Sequence, residues 1–114
     1  MRILFLDDNT NRHEYFEYAM LSNAKEHEVV HVYSAREAID ALINSERFDL
    51  VHLDHDLGSE PGNTGQEVAI FISTMPDQMM PLKIVIHSSN HVGAERMGAQ
   101  LDSHSDVQIA PFNV

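Results

Sequence analysis

Three short polar clusters in this chain each close an apolar run: Asp7-Asp8 after RILFL, Asp54-His55-Asp56 after DLVHL, and His87-Ser88-Ser89-Asn90 after KIVI. Carboxylates hold hard divalent cations through oxygen, and imidazoles bind transition metals or move protons near neutral pH. If the three clusters meet, their carboxylates repel one another, and a shared cation is the simplest resolution. Oxygen ligands alone suit magnesium or manganese, whereas adding His55 or His87 moves the preference toward manganese, iron, zinc or nickel. Taken singly, each cluster also has a plainer meaning. Asp7 and Asp8 can simply cap a helix, and HDL alone is a weak signal.

Anion-binding groups lie beside these clusters. Arg12, four residues beyond Asp8, can fork its guanidinium onto a phosphate, or instead form a surface ion pair with Glu14 or Glu17. Asn90 and the backbone N–H groups near Val92 to Ala94 form an anion cradle if a helix begins there, with Gly93 permitting close approach and Arg96 a second basic candidate. His52 lies inside an apolar run and reads as a packed or edge histidine. His13, His27, His31 and His104 have no acidic partner at a strand end and read as surface residues, while His91 stands at the start of the last helix.

The elements that must carry these residues alternate. RILFLDD (2–8) reads as a buried strand, followed by a helix from Thr10 to about Lys25 with Phe16, Ala19, Met20 and the flanking tyrosines on one face. EVVHVYS (28–34) is a second strand. Ser34 and Glu37 form a capping box ahead of Ala35, Ala38, Ile39, Leu42 and Ile43, whose spacing predicts a helix. DLVHLDHDL (49–57) is the third strand, and GSEPGNTG (58–65) is a turn-rich loop. Thr64 and Glu67 form another capping box for a helix carrying Val68, Phe71, Ile72 and Met75, which ends near Pro76. KIVIHSSN (83–90) is the fourth strand, about 92 to 103 a glycine-weakened helix, and VQIAPF (107–112) a short fifth strand. Five strands alternating with four helices predict one α/β domain over residues 1–114, a parallel sheet with right-handed crossovers. Ligands of such sheets gather outside the carboxyl ends of the strands, where the polar clusters fall.

Composition narrows the function. Eighteen acidic against seven basic residues give a formal charge of −11, the wrong sign for tracking a phosphate backbone, so non-specific nucleic-acid binding is not expected. A small anion remains compatible, because a metal and a few donors reverse the field locally. No apolar stretch is long enough for a membrane span or signal peptide, and the expected location is the cytoplasm. The absence of cysteine excludes disulfides, thiolate nucleophiles and cysteine zinc sites.

With Asp7-Asp8 ending strand one, Asp54 ending strand three and Pro111-Phe112 in strand five, the chain resembles the receiver domains of response regulators. That resemblance implies a five-stranded parallel sheet of order 2-1-3-4-5, here without the fifth helix. It also implies that Asp7, Asp8 and Asp54 hold magnesium while Asp54 accepts a phosphoryl group. The lysine that precedes the strand-five proline in that family is Ala110 here, and His87 stands where a Ser or Thr usually ends strand four. LFLDDNTNR, DLVHLDHDLG and VIHSSN are closer to the receiver-derived group described as cyclic-phosphate processing receiver domains, common in phages and bacteria. The implied activity is metal-dependent hydrolysis of a cyclic phosphate, such as a cyclic nucleotide or cyclic-phosphate end, or of a small nucleotide phosphate. The implied ligands are Asp7, Asp8 and Asp54. His87 or His55, with Asp56, transfers protons, and Arg12, Ser88 and Asn90 bind substrate. Two other functions fit the same fold: a stand-alone receiver phosphorylated on Asp54, and a non-catalytic nucleotide- or partner-binding domain.

Overall fold

The computed structural model describes residues 1–21, 26–104 and 106–110. In chain order the elements are β1 (Arg2–Leu6), α1 (Thr10–Leu21), β2 (Glu28–Val32), α2 (Ala35–Asn44), β3 (Leu50–Leu53), α3 (Gly65–Ser73), β4 (Lys83–Ile86), α4 (His91–Gln100) and β5 (Val107–Ile109). All strand pairs are parallel, and the sheet order is β2-β1-β3-β4-β5. The chain steps from β1 to β2 on one side and then returns to β3 on the other. The crevice between β1 and β3 is therefore the switch point at which open α/β sheets bind ligands.

Period-two alternation divides the sheet into two cores. Leu4, Leu6, Val51, Leu53, Ile84 and Ile86 face α2, α3 and α4, where Ala38, Leu42, Val68, Ile72 and Met97 pack against them. Ile3 and Phe5 face the other way onto Phe16 of α1, with Met20, Val29 and Leu50 around them. Among the described residues α1 is the one helix on that second face. Its tyrosines do not join the contact: Tyr15 and Tyr18 are exposed, so the inward stripe runs through His13, Phe16 and Met20 instead.

Local signals explain the boundaries. The Ser34 hydroxyl accepts from Glu37 N–H at 3.1 Å, and the Glu37 carboxylate reaches back to the N–H of Tyr33, closing a box displaced by one residue. Thr64 occupies the N-cap of α3 but makes no side-chain cap bond, so the second expected box does not form. Gly58 and Gly62 adopt positive φ in the loop before it, a conformation that favours glycine. Asn63 fastens this loop, accepting from Ala35 N–H and donating to the Leu57 carbonyl. The expected last turn of α1, up to Lys25, and the Pro111-Phe112 pair lie outside the described residues, and β5 ends at Ile109.

Candidate functional site

The strands deliver their terminal side chains to one place because each acid or histidine immediately follows the last paired residue. Backbone bonds fix the junctions: Asp7 N–H donates to Val32 O, Asp54 N–H to Leu6 O, and His87 N–H to Leu53 O. Asp7, Asp54 and His87 are all buried, and each offers a ligand atom within 4.8 Å of the others. Asp8, the fourth expected member, is exposed and outside this group.

Asp7 is the hub. Its Oδ1 accepts from Asn9 N–H at 2.8 Å, and its Oδ2 accepts from His87 Nε2 at 2.9 Å. Burial raises its pKa, but the His87 and Asn9 hydrogen bonds and the charges of His87 and Arg12 outweigh that, leaving it below the usual carboxylate range. Asp54 has the opposite balance. Burial first and the Asp7 charge second push it up to about 6, only partly countered by His87, the His55 N–H and Arg12. Two carboxylates in one dry site cannot both ionise freely without a cation. Beside His87, Arg12 supplies a permanent positive charge, with Nη1 3.4 Å from Asp7 Oδ2 and 3.9 Å from Asp54 Oδ2. The alternative pairing with Glu14 or Glu17 does not occur among the described residues, where its ion-pair partners are Asp7 and Asp54.

A second constellation forms the rim. His55 Nδ1 lies 2.7 Å from Asp56 Oδ1, and Asn90 Nδ2 donates to the same oxygen at 3.2 Å. These two hydrogen bonds, from His55 first and then Asn90, lower the Asp56 pKa. An ionised Asp56 accepts the Nδ1 proton, so the lone pair of neutral His55 stands on Nε2. Asn90 is the N-cap of α4, its Oδ1 accepting from Gly93 N–H at 2.9 Å while its carbonyl accepts from Ala94 N–H. Of the expected anion cradle, the Gly93 and Ala94 N–H groups serve the helix cap and the Asn90 amide N–H serves Asp56. The close approach at Gly93 is made by the His55 ring, since a Cβ there would fall 2.5 Å from His55 Cγ. Gly65 has a similar constraint, because its Cβ would collide with the Asp54 carbonyl. Ser88 is buried, and its hydroxyl oxygen accepts from Asn90 N–H at 3.0 Å.

His13, expected at the surface, instead lies inside, beside the site. It is buried at 2% exposure, donates from Nε2 to the Asp7 carbonyl at 2.8 Å, and has Nδ1 2.7 Å from His31 Nδ1. Tyr33 stacks on its ring with centroids 4.0 Å apart. The signal was present, since His13 precedes Phe16 by three residues and Met20 by seven and so continues the inward stripe. His52 packs beneath the site against Phe16 and Phe5. Burial, with the His87 and Lys83 charges, lowers its pKa to about 3.

Known receiver structures share this architecture. The phosphorylated cyanobacterial phytochrome response regulator RcpA is 25% identical, with a TM-score of 0.74 over 96% of this chain and 79% of that one. The bacteriophytochrome response regulator AtBRR is 21% identical, with a TM-score of 0.72 over 98% and 83% of the respective chains. The Mn(2+)-bound form of response regulator Rcp1 is 18% identical, with a TM-score of 0.72 over 99% and 82%. No curated protein sequence matches the chain. The family described as Cyclic-phosphate processing Receiver domain matches residues 2–103, nearly the whole sequence. With a β2-β1-β3-β4-β5 sheet and an acidic pocket at its carboxyl edge, the chain belongs to the cyclic-phosphate processing receiver domain family.

Proposed function

We propose that this protein is a metal-dependent phosphoesterase acting on a cyclic phosphate or a small nucleotide phosphate. The observation that carries the reading is the buried Asp7–Asp54 pair: burial first, and the Asp7 charge second, push Asp54 up to about 6, and two carboxylates so placed create a demand for a cation. Asp7 and Asp54 would hold a divalent ion, with Asp8 at the solvent side, and magnesium or manganese fits this oxygen-rich donor set. The manganese in the Rcp1 structure, on the same fold, supports that choice. When bound, such an ion neutralises phosphoryl oxygens and acidifies a coordinated water.

The remaining work falls to the chain. Asp56 orients His55 so that Nε2 can take or return a proton, a contribution of roughly 10²–10⁴-fold in rate. Asn90 and Gly93 hold that ring in place, which makes them positioning residues. His87, buried and bonded to Asp7, orients the carboxylate from behind. Arg12 and the Ser88 hydroxyl offer donors to phosphoryl oxygens.

A second reading, a signalling receiver phosphorylated on Asp54, draws support from the likeness to phosphorylated RcpA. Against it stands Ala110, whose N–H donates to Ile86 O beside His87 and whose methyl offers no charge to an aspartyl phosphate. The deciding experiment incubates the protein with 2′,3′- and 3′,5′-cyclic nucleotides and cyclic oligonucleotides in the presence of Mg, Mn, Fe, Zn or Ni, with products separated by chromatography. Turnover lost in Asp54→Ala and in His55→Ala supports the esterase. No turnover with any metal, together with lasting phosphorylation of Asp54 by acetyl phosphate, overturns it in favour of signalling.

A further inference from the structure

The atoms that a cation needs are already in use. Asp7 Oδ1 is taken by Asn9 N–H, and Asp54 Oδ1 by His55 N–H. Asp7 Oδ2 is bonded to His87 Nε2 at 2.9 Å on its buried side, and Nη1 of Arg12 lies 3.4 Å from that oxygen and 3.9 Å from Asp54 Oδ2 on the solvent side. We infer that Arg12 is the built-in counter-ion of this carboxylate pair, and that a divalent cation and the Arg12 guanidinium exclude one another from it. This rests on the reading above in one respect, that the metal enters between Asp7 and Asp54.

Two observations make the exchange mechanically simple. The Arg12 side chain is 31% exposed, so its guanidinium can leave without crossing the core. Its backbone stays where it is, because Asn9 caps the first turn of α1 through both its carbonyl and its side-chain oxygen. A displaced Arg12 therefore pivots at the mouth of the site, carrying a planar set of donors suited to phosphoryl oxygens. Arg12 thus plays two parts in sequence: it neutralises the empty acidic pair, then, once the ion has taken over that task, it becomes the anion ligand. Ala110, immediately after β5, has no side-chain charge to do either.

The test uses metal and inorganic phosphate, not turnover, so it can fail while hydrolysis stands, or hold while hydrolysis fails. Mn²⁺ binding is measured by calorimetry on the wild-type protein and on Arg12→Gln. The expected result is Mn²⁺ binding tightened by roughly three- to tenfold in the variant, the scale of one partly exposed charge-assisted pair. Phosphate binding to the Mn²⁺-loaded variant is weakened at the same time. Equal or weaker Mn²⁺ affinity in Arg12→Gln overturns the inference. Should that variant not fold, ¹⁵N spectra of the wild-type protein titrated with Mg²⁺ replace it. Arg12 Nε–H must then shift and exchange faster with water; an unmoved resonance while the carboxylates saturate overturns the exchange.

Discussion

Gly93 lies against the imidazole of His55 so closely that a methyl group on its α-carbon would meet Cγ at 2.5 Å and Cδ2 at 2.6 Å. Gly93→Ala is therefore expected to turn the ring away from Asp56 while α4 persists, because Asn90 still caps it. The proposed hydrolysis should drop by about 10²-fold or more, mainly in kcat, with little change in melting temperature. Activity surviving at the wild-type level removes His55 from the chemistry.

The two site histidines should separate stability from rate. His87 is 2% exposed and bonded to buried Asp7, so His87→Ala leaves a buried carboxylate short of a donor at a cost of about 2–3 kcal/mol. His55 is half-buried at the rim, and His55→Ala should cost about 0.5 kcal/mol or less. Urea denaturation of both variants checks the order; equal losses contradict it.

Asp54 gives the metal-free protein a distinctive pH dependence. Its pKa is raised from 3.8 to about 6, so the folded state keeps a proton that the unfolded chain has released. The stability from this group is full below about pH 4 and is lost as pH rises through about 6, a change of about 3 kcal/mol. His13 and His52, whose pKa values are lowered, work in the opposite direction over part of this window. The difference between wild type and Asp54→Asn isolates the Asp54 contribution. The variant should be the more stable protein at pH 7 without metal, and Mg²⁺ or Mn²⁺ should raise the stability of the wild type but not of the variant. Parallel stability curves from pH 4 to 7 would contradict the assignment.

His52 is a cost borne by the second core. Its ring packs between Phe16 and Phe5, and its Nδ1 is buried with no hydrogen-bond partner among the described residues. With its pKa lowered to about 3, its contribution is complete above about pH 6.5 and is lost as pH falls toward 3. His52→Leu should stabilise by about 1–2 kcal/mol at neutral pH and by more in acid. Thermal melts at pH 7 and pH 4 measure both.

The sheet was legible because each strand is a short apolar run cut off by an acid or a histidine, and the helix spacing around Ser34 and Thr64 fixed the crossovers. Asp7, Asp54 and His87 could be brought together from chain position alone, since parallel strands place their carboxyl ends on one edge. Side-chain direction was not legible. Nothing local to Asn90 says that its amide turns inward to Gly93 and Asp56, or that Asp8 faces solvent while Asp7 is fully buried. The burial of His13 was not legible because its partners come from β2 and the residue after that strand: His31 and Tyr33 meet it only after the strands pair. The Thr64 box failed for a related reason. The loop before α3 is held by Asn63 and by a bridge between Asp56 and Thr64, which sets the backbone without the threonine hydroxyl.

The contact between His13 and His31 bears on how the molecule behaves as a polyelectrolyte. The Asp7 carbonyl obliges His13 to carry its hydrogen on Nε2, so the 2.7 Å gap between the two Nδ1 atoms holds a single proton, supplied by His31. A chain with eight imidazoles would be expected to shed much of its −11 charge just below neutrality. Here His52 stays uncharged down to about pH 3, and His13 resists a second proton. Even after the proton retained by Asp54 is counted, the folded protein stays more anionic in mild acid than its composition suggests, and isoelectric focusing under native conditions should place it below its urea-unfolded form.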